Sequence, residues 1–156
     1  MPRLEDLSEQ ARQGHLNFPC FDHDDAPFVP LAKPLSQVRL GLVTTAGIHV
    51  RGDKPFASGD QDCRVLPMDT PLRDVVMSHT SIGFDRTPFM RDPNITYPVD
   101  RLRELVARGE LGGLGPNGYS FMGALRSPRT IEQETGPQVG QSLRTEGVDA
   151  VLLTPT

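Results

Sequence analysis

Two histidines come at or just after apolar segments, and histidine is the side chain best suited to proton transfer near neutral pH. His49 follows the segment Val38–Thr44, and His79 ends the segment Val75–His79. Both segments have the composition of β-strands. If both are parallel strands of one sheet, His49 and His79 meet at the edge where such folds place their chemistry. The alternative for His49 is a purely structural hydrogen bond to a backbone carbonyl.

Polar residues near the two histidines extend this candidate site. Thr44 and Thr45 end the first strand, and together with the glycine backbone that follows they are suited to hold an anion or carboxylate. Asp53 gives His49 a titratable neighbour, and the loop after His79 contains Asp92 and Asn94. We therefore expect Thr44, Thr45, Asp53, Asp92 and Asn94 to bind the substrate or to position the loops around it.

The last segment of the chain predicts a third strand that ends at the same edge. Gly147 closes a helix, and Ala150–Leu153 is an unbroken apolar run. Such a run is typical of a central parallel strand that is buried on both faces. Thr154 would then lie at the functional edge as a further substrate-binding residue, two residues before the sequence ends at Thr156.

The remaining segments complete an α/β pattern. Cys63–Leu66 predicts a short strand, Pro98–Arg108 an amphipathic helix, and the segment from Ser127 a helix that Pro137 should kink or split. The glycine-rich segment 111–123 matches neither phosphate-binding fingerprint, so it predicts a tight loop that lets backbone approach a neighbour. The order of elements favours a mainly parallel open sheet with flanking helices.

The amino-terminal part differs from the rest in composition. Leu4–Gln13 predicts a short amphipathic helix, and Pro19, Pro27, Pro30 and Pro34 disfavour regular structure in the segment that follows. We expect residues 1–36 to be an extended lead-in and residues 37–156 to be the α/β domain.

Composition excludes several classes of partner. The 16 basic and 20 acidic residues give a net charge of −4 with no basic run, which argues against nucleic acid. No apolar run approaches the roughly 20 residues that span a bilayer, and the amino terminus lacks a secretory pattern. We therefore expect a cytoplasmic protein in which Cys20 and Cys63 form no disulfide. Cys20 and His23 lie among aspartates in what we interpret as an acidic surface turn, so no metal site is expected.

Five strings in order resemble the selenoprotein B family of glycine, sarcosine, betaine and D-proline reductases. They are VRLGLVTTAGIHVRGDKPF, the SHTS loop, DPNITYPVDRLREL, GGLGPNGYSFMG and GVDAVLLTPT. The resemblance covers roughly residue 26 to the end. In that family the strand similar to VDAVLLTPT leads into a redox motif that begins with selenocysteine, or with cysteine in some members.

The resemblance implies a selenol- or thiol-dependent oxidoreductase that acts on a small amine or amino-acid-like substrate. The redox nucleophile is expected directly after Thr156, where a selenocysteine codon can be read as a stop. The chain would then be a truncated, incomplete domain that is inactive alone and has no cofactor of its own. The implied partners are a redox protein or a pyruvoyl-bearing subunit. Within the family motifs, His49 and His79 are the candidates for acid or base.

Two alternatives remain open at this point. The final strand also resembles those of aspartate and glutamate racemases, which supports a racemase-like fold and suggests cofactor-independent proton transfer between two thiols. That chemistry needs a second cysteine where Thr45 or Ser78 stands. The other alternative is a non-catalytic binding fragment. An exposed apolar strand edge at the end of the chain would favour a homo-oligomer.

Overall fold

The computed structural model describes residues 3–18, 24–25 and 28–155, which form two compact units, residues 1–30 and 31–156. In the first unit, helix α1 spans Glu9–Leu16. Its N-cap is Ser8, whose hydroxyl accepts a hydrogen bond from the Ala11 amide. The helix predicted over Leu4–Gln13 is therefore observed later in the chain, and Gly14 lies inside it. The predicted domain boundary after residue 36 stays a prediction, and Cys20 and His23 lie outside the described residues.

The second unit is built on a mixed four-stranded sheet with the order β3-β5-β1-β6. Its strands are β1 (Arg39–Thr44), β3 (Arg64–Pro67), β5 (Gly113–Ser120) and β6 (Ala150–Thr154). Strand β1 pairs in parallel with both β5 and β6, whereas β3 runs antiparallel to β5. The predicted α/β class with mostly parallel strands is thus confirmed in this coarse form.

The glycine-rich segment is strand β5, so the predicted tight loop is wrong. Glycine is usually disfavoured in strands because it has no side chain to pack. Here neighbouring groups approach the backbone so closely that a side chain would clash with them. A Cβ atom at Gly118 would lie 2.4 Å from the Tyr97 hydroxyl oxygen, and one at Gly115 would lie 2.9 Å from the Val148 side chain. The predicted close approach is correct, and it occurs within a strand.

A separate two-stranded antiparallel sheet holds β2 (Ile48–Val50) and β4 (Val75–Met77). The prediction that the segment ending at His79 is a parallel strand of the main sheet is therefore wrong. An apolar run this short is compatible with parallel pairing in the main sheet and with antiparallel pairing to another strand. That other strand, β2, was not predicted. As a result His49 lies within β2, while His79 lies two residues beyond the end of β4.

Strand β6 is an edge strand rather than the predicted central one. Its alternate residues Ala150 and Leu152 pack on the core, while the side chains of Val151 and Leu153 are 39% and 67% exposed. The apolar run predicted burial on both faces, but the described residues cover only one of them well.

Helices cover the two faces of the sheet. Helix α3 (Val99–Ala107) contributes Val99 and Leu102 to the larger core cluster, and α4 (Gly136–Thr145) contributes Val139 and Leu143 to the smaller one. A short helix, α2 (Thr87–Arg91), precedes α3. Pro137 has no amide hydrogen to donate, and a π-helical turn at Ile131–Thr135 leads directly into α4. The helical residues run without a break from Arg129 to Thr145, so the predicted split at Pro137 does not occur; the π-helical turn is the irregularity beside it.

Candidate functional site

The carboxyl ends of the three parallel strands meet in one row. Thr44 of β1 pairs with Ser120 of β5 on one side and with Thr154 of β6 on the other. The antiparallel strand β3 starts at the same edge, because Arg64 is the register partner of Ser120. This edge is where open α/β sheets bind ligands, since loops and strand ends converge there.

Three threonines, which we call the threonine cluster, join β1, β6 and the loop before α3. The hydroxyl oxygens of Thr44 and Thr154 lie 3.1 and 2.8 Å from the carbonyl oxygen of Thr96. The Thr44 hydroxyl also lies 3.1 Å from the carbonyl of Thr154 and accepts the Ala46 amide at 3.2 Å. Because Thr44 is buried and its hydroxyl is fully engaged, the cluster holds the edge in place rather than offering free donors.

A cavity of about 400 Å³ lies beside the threonine cluster; we call it the edge cavity. It is lined by Val43, Thr45, Leu153, Thr154 and Pro155. The Thr45 amide donates to the Thr154 carbonyl at 3.2 Å, which ties the loop after β1 to the end of β6. The lining is largely apolar with two threonines, so the edge cavity suits a small molecule with an aliphatic body.

His79 is buried against the backbone that follows Thr45. A Cβ atom at Gly47 would lie 3.0 Å from the His79 Cα, so this close approach requires a glycine, which also has φ +60°. The Nδ1 atom of His79 accepts the Ser81 amide at 3.2 Å, so the neutral ring carries its proton on Nε2. That Nε2 is buried and has no hydrogen-bond partner among the described residues.

Burial, with a smaller contribution from the Arg86 charge, lowers the pKa of His79 below its ordinary value. The guanidinium of Arg86 also donates to the His79 carbonyl, at 2.5 Å. The neutral imidazole is therefore the favoured form of His79, and its unused Nε2–H can donate a hydrogen bond to a bound molecule.

His49 is buried in β2, opposite Val76 of β4. Its Nδ1 lies 2.9 Å from the Val50 carbonyl and therefore donates to it, which leaves Nε2 as the acceptor in the neutral ring. The two-stranded sheet thus carries both histidines, but no contact joins their rings in the part of the chain described here. The structural alternative for His49, a hydrogen bond to a backbone carbonyl, is present.

Asp92 and Asn94 shape the loop that supplies Thr96. The Asp92 carboxylate accepts hydrogen bonds from the side-chain nitrogen of Asn94 and from its amide, both at 2.9 Å, and these lower the pKa of Asp92. The Asn94 side chain in turn accepts the Asp100 amide at the start of α3, at 3.1 Å. Both residues thus shape the backbone of the loop whose Thr96 carbonyl belongs to the threonine cluster. Asp53 lies in an exposed turn that is closed by a hydrogen bond from its amide to the Val50 carbonyl, and within the part of the chain that the structure describes no contact joins Asp53 to the sheet edge.

Sequence reasoning missed Thr96, Ser120 and Arg64. Thr96 and Ser120 are buried at the edge, where the Ser120 hydroxyl accepts the Ile48 amide at 2.9 Å. The Arg64 side chain is also buried, and it donates to the carbonyls of Lys54 and Pro55 and holds the loop before β3. Thr96 and Ser120 lie within the quoted strings, which was the available signal, whereas Arg64 lies outside them. Spacing alone does not identify an internal hydrogen-bond partner.

Cys63 and Ser78 carry groups that could act as nucleophiles, but their surroundings do not favour that chemistry. Burial and the neighbouring Asp62 raise the pKa of the Cys63 thiol, the opposite of what a reactive thiolate needs. The Ser78 hydroxyl accepts the Phe56 amide and lies 3.4 Å from the Gly47 carbonyl. Within residues 3–18, 24–25 and 28–155, no three potential metal ligands cluster, and no helix has the length and apolar character needed to cross a bilayer.

Comparison with known proteins shows three informative relatives. D-proline reductase subunit gamma of Acetoanaerobium sticklandii is 38% identical over 81% of this chain and 52% of its own length. Sarcosine reductase complex component B subunit beta of Peptoclostridium acidaminophilum is 33% identical over 88% of this chain and 32% of its own. Glycine reductase complex component B subunit gamma of Carboxydothermus hydrogenoformans is 29% identical over 90% and 33%.

The chain therefore spans about half the length of the first relative and about a third of the other two. No solved structure gives a significant match. The profile of one family, described as glycine/sarcosine/betaine reductase selenoprotein B, matches residues 4–156, which is nearly all of the sequence. On the strength of this match and of the relatives, the chain belongs to the glycine/sarcosine/betaine reductase selenoprotein B family.

Proposed function

We propose that this chain forms the substrate-binding part of a selenol- or thiol-dependent reductase that acts on a small amine or amino-acid-like molecule. The observation that carries the proposal is the contact of Thr44 and Thr45 with Thr154, which brings the end of β6 to the edge cavity. The family and its reductase relatives support the reaction class. The substrate in this proposal occupies the edge cavity.

The nucleophile in this proposal is a selenocysteine or cysteine that follows Thr156 in the full-length protein. It supplies the selenolate or thiolate that displaces the amine from the substrate carbon. The residues of this chain bind and orient the substrate: Thr45 and Thr154 supply the polar part of the cavity lining, and Val43 and Leu153 supply apolar surface for the aliphatic part of the substrate.

His79 is the proposed hydrogen-bond donor. Its buried, unpartnered Nε2–H belongs to a neutral ring, which can orient a carboxylate or stabilise developing negative charge; acting as an acid towards a leaving amine would require the ring first to take up a proton. Gly47 packs against the backbone of His79 only two residues after Thr45, so the loop after β1 runs from the cavity wall to His79, although His79 is not among the residues that line the cavity. In this proposal His49 stabilises strand β2 of the two-stranded sheet, and His79 follows strand β4 of the same sheet. The polar residues Asp53, Asp92 and Asn94 position loops.

The proposal also includes partner proteins, a cellular location and an oligomeric state. A partner redox protein or a pyruvoyl-bearing subunit completes the reaction, consistent with relatives that are named as subunits of reductase complexes. A cytoplasmic location belongs to the proposal because thiols and selenols stay reduced there. The exposed edge of β6 is available for a homo-oligomer.

The test is an activity assay of the full-length protein with its partner subunits and dithiothreitol. Glycine, sarcosine, betaine and D-proline are supplied separately, and loss of each substrate is followed by mass spectrometry. We expect one of them to be reduced, and His79→Asn to lower kcat about 100-fold, whereas the exposed His15→Asn leaves it unchanged. Consumption of none of the four, or an unchanged rate in His79→Asn, contradicts the proposal.

A further inference from the structure

Strand β4 has an open edge. The Asp74 carbonyl accepts the Arg51 amide, and the Ser78 amide donates to the Gly47 carbonyl, so both residues face β2. Backbone groups alternate in direction along an antiparallel strand, so those of Val75 and Met77 point away from β2. The Val75 amide is used by the Leu72 carbonyl. The amide and carbonyl of Met77 make no recorded hydrogen bond within the described residues.

An apolar groove of about 400 Å³ runs beside β4. All three residues of the strand line it, and α2 forms the opposite wall with Phe89 and Met90. Met90 is 81% exposed even though it is a large apolar residue. The groove therefore combines an unpaired strand edge with an apolar floor, the two features that bind an extended peptide segment by strand addition.

Positive charge marks the rim of the groove. Its described lining residues include Arg73 and Arg86 and no acid. The Arg73 side chain is 84% exposed, and the nearest carboxylate recorded for it, that of Asp74, lies 3.9 Å from its Nε. One Arg86 nitrogen is bound to the His79 carbonyl, which holds the guanidinium at the rim. An acidic segment complements this charge.

We propose that the groove between β4 and α2 docks an extended, acidic and partly apolar segment of a partner protein, which pairs with the open edge of β4. The charge disfavours a second copy as the occupant, because antiparallel pairing of two β4 edges brings the arginines of both copies together. This inference is independent of the chemistry at the edge cavity, since the groove shares no lining residue with that cavity.

The test uses fluorescent synthetic peptides that alternate glutamate with valine, leucine or phenylalanine. We expect saturable binding to the protein that weakens in high salt, and at least tenfold weaker binding of the matching lysine peptides. Met77→Pro removes the strand amide without touching the β2 ladder, and Arg73→Glu reverses the charge. Each should weaken binding at least tenfold, whereas Arg129→Glu, an exposed arginine outside the groove, should not.

A second readout needs no variant. Hydrogen exchange of the Met77 amide, followed by NMR, should slow when the acidic peptide is added to the unaltered protein. The proposal is overturned if no acidic peptide binds, if lysine peptides bind equally well, or if the Met77 amide exchanges at the same rate with bound peptide. Concentration-dependent dimers abolished by Met77→Pro would identify a second copy as the occupant and would also overturn it.

Discussion

The hydroxyl oxygen of Thr44 lies 3.1 Å from the carbonyl oxygen of Thr154, and this contact joins the ends of two parallel strands 110 residues apart in sequence. The same hydroxyl lies within hydrogen-bonding distance of the Thr96 carbonyl. The loop before α3 is thereby fastened to the sheet edge where the edge cavity opens. The geometry of the cavity thus depends on the threonine cluster.

The threonine cluster should stabilise the fold. Thr44→Val keeps the shape of the side chain but leaves the Ala46 amide without its acceptor, so we expect a loss of about 1–3 kcal/mol in the free energy of unfolding. Thr154→Val removes the second hydroxyl that reaches the Thr96 carbonyl. Because both residues share this acceptor, the double variant should deviate from additivity by about 0.5 kcal/mol or more.

Urea denaturation of the two single variants and the double variant measures these effects. Thr145→Val is the matched control, because Thr145 is exposed and its hydroxyl bonds only within α4. Its effect should stay below about 0.5 kcal/mol. Strict additivity of Thr44→Val and Thr154→Val would show that the two hydroxyls act independently.

The buried His79 should make stability depend on pH. The pKa of His79 is lower in the folded protein than in the unfolded chain. Below about pH 6.5 the unfolded chain is therefore protonated at this histidine to a greater extent than the folded protein. The free energy of unfolding should therefore fall as the pH drops through this value. His79→Asn, which retains an acceptor for the Ser81 amide, should flatten the dependence between about pH 5 and pH 8.

Urea midpoints across this pH range test the assignment. The exposed His15→Asn serves as control, because it replaces a histidine on the surface and leaves the buried ring of His79 in place. An identical profile for the unaltered protein and for His79→Asn would show that burial does not penalise the charged imidazole.

Two adjacent glycines give a sharp test of packing around β5. A Cβ atom at Gly112 would lie 2.5 Å from the carbonyl carbon of Gln37, whereas one at Gly113 has no atom within 4 Å. Gly112→Ala should therefore destabilise by about 2 kcal/mol or more, because backbone has to move. Gly113→Ala should change stability by less than about 0.5 kcal/mol. Equal effects in thermal or urea unfolding would refute the close approach.

The open edge of β6 should promote self-association. Val151 and Leu153 expose apolar side chains on a strand whose outer edge has no partner among the described strands. Sedimentation of the 156-residue chain should show concentration-dependent oligomers, which the double change Val151→Lys and Leu153→Lys should reduce. Val65→Lys, on the opposite edge strand β3, is the control. A monomer at all concentrations would contradict this prediction.

Sequence patterns predicted the elements with strong periodicity. The predicted helix Pro98–Arg108 is observed as Val99–Ala107, and the predicted strand Val38–Thr44 as Arg39–Thr44. Strand β5 escaped prediction because its glycines are required by the Tyr97 and Val148 side chains, which are distant in sequence. The position of β6 at the sheet edge depends on what covers it, and a local apolar pattern carries no such information.

The candidate site was predictable only in outline. Thr44, Thr45 and Thr154 do come together, because parallel strands end at one edge. The carbonyl of Thr96, which holds Thr44 and Thr154, has no signature in the sequence because every residue has a carbonyl. The separate two-stranded sheet of β2 and β4 places His49 and His79 differently from the predicted pair of strand ends, and short apolar runs do not specify their partners.

The most direct test of the central claim is mass spectrometry of the full-length protein after reduction and alkylation with iodoacetamide. We expect a peptide that continues past Thr156 directly into an alkylated selenocysteine or cysteine, with slower alkylation when substrate is bound. A peptide in which any other residue follows Thr156, or in which nothing follows it, would contradict the proposed position of the nucleophile.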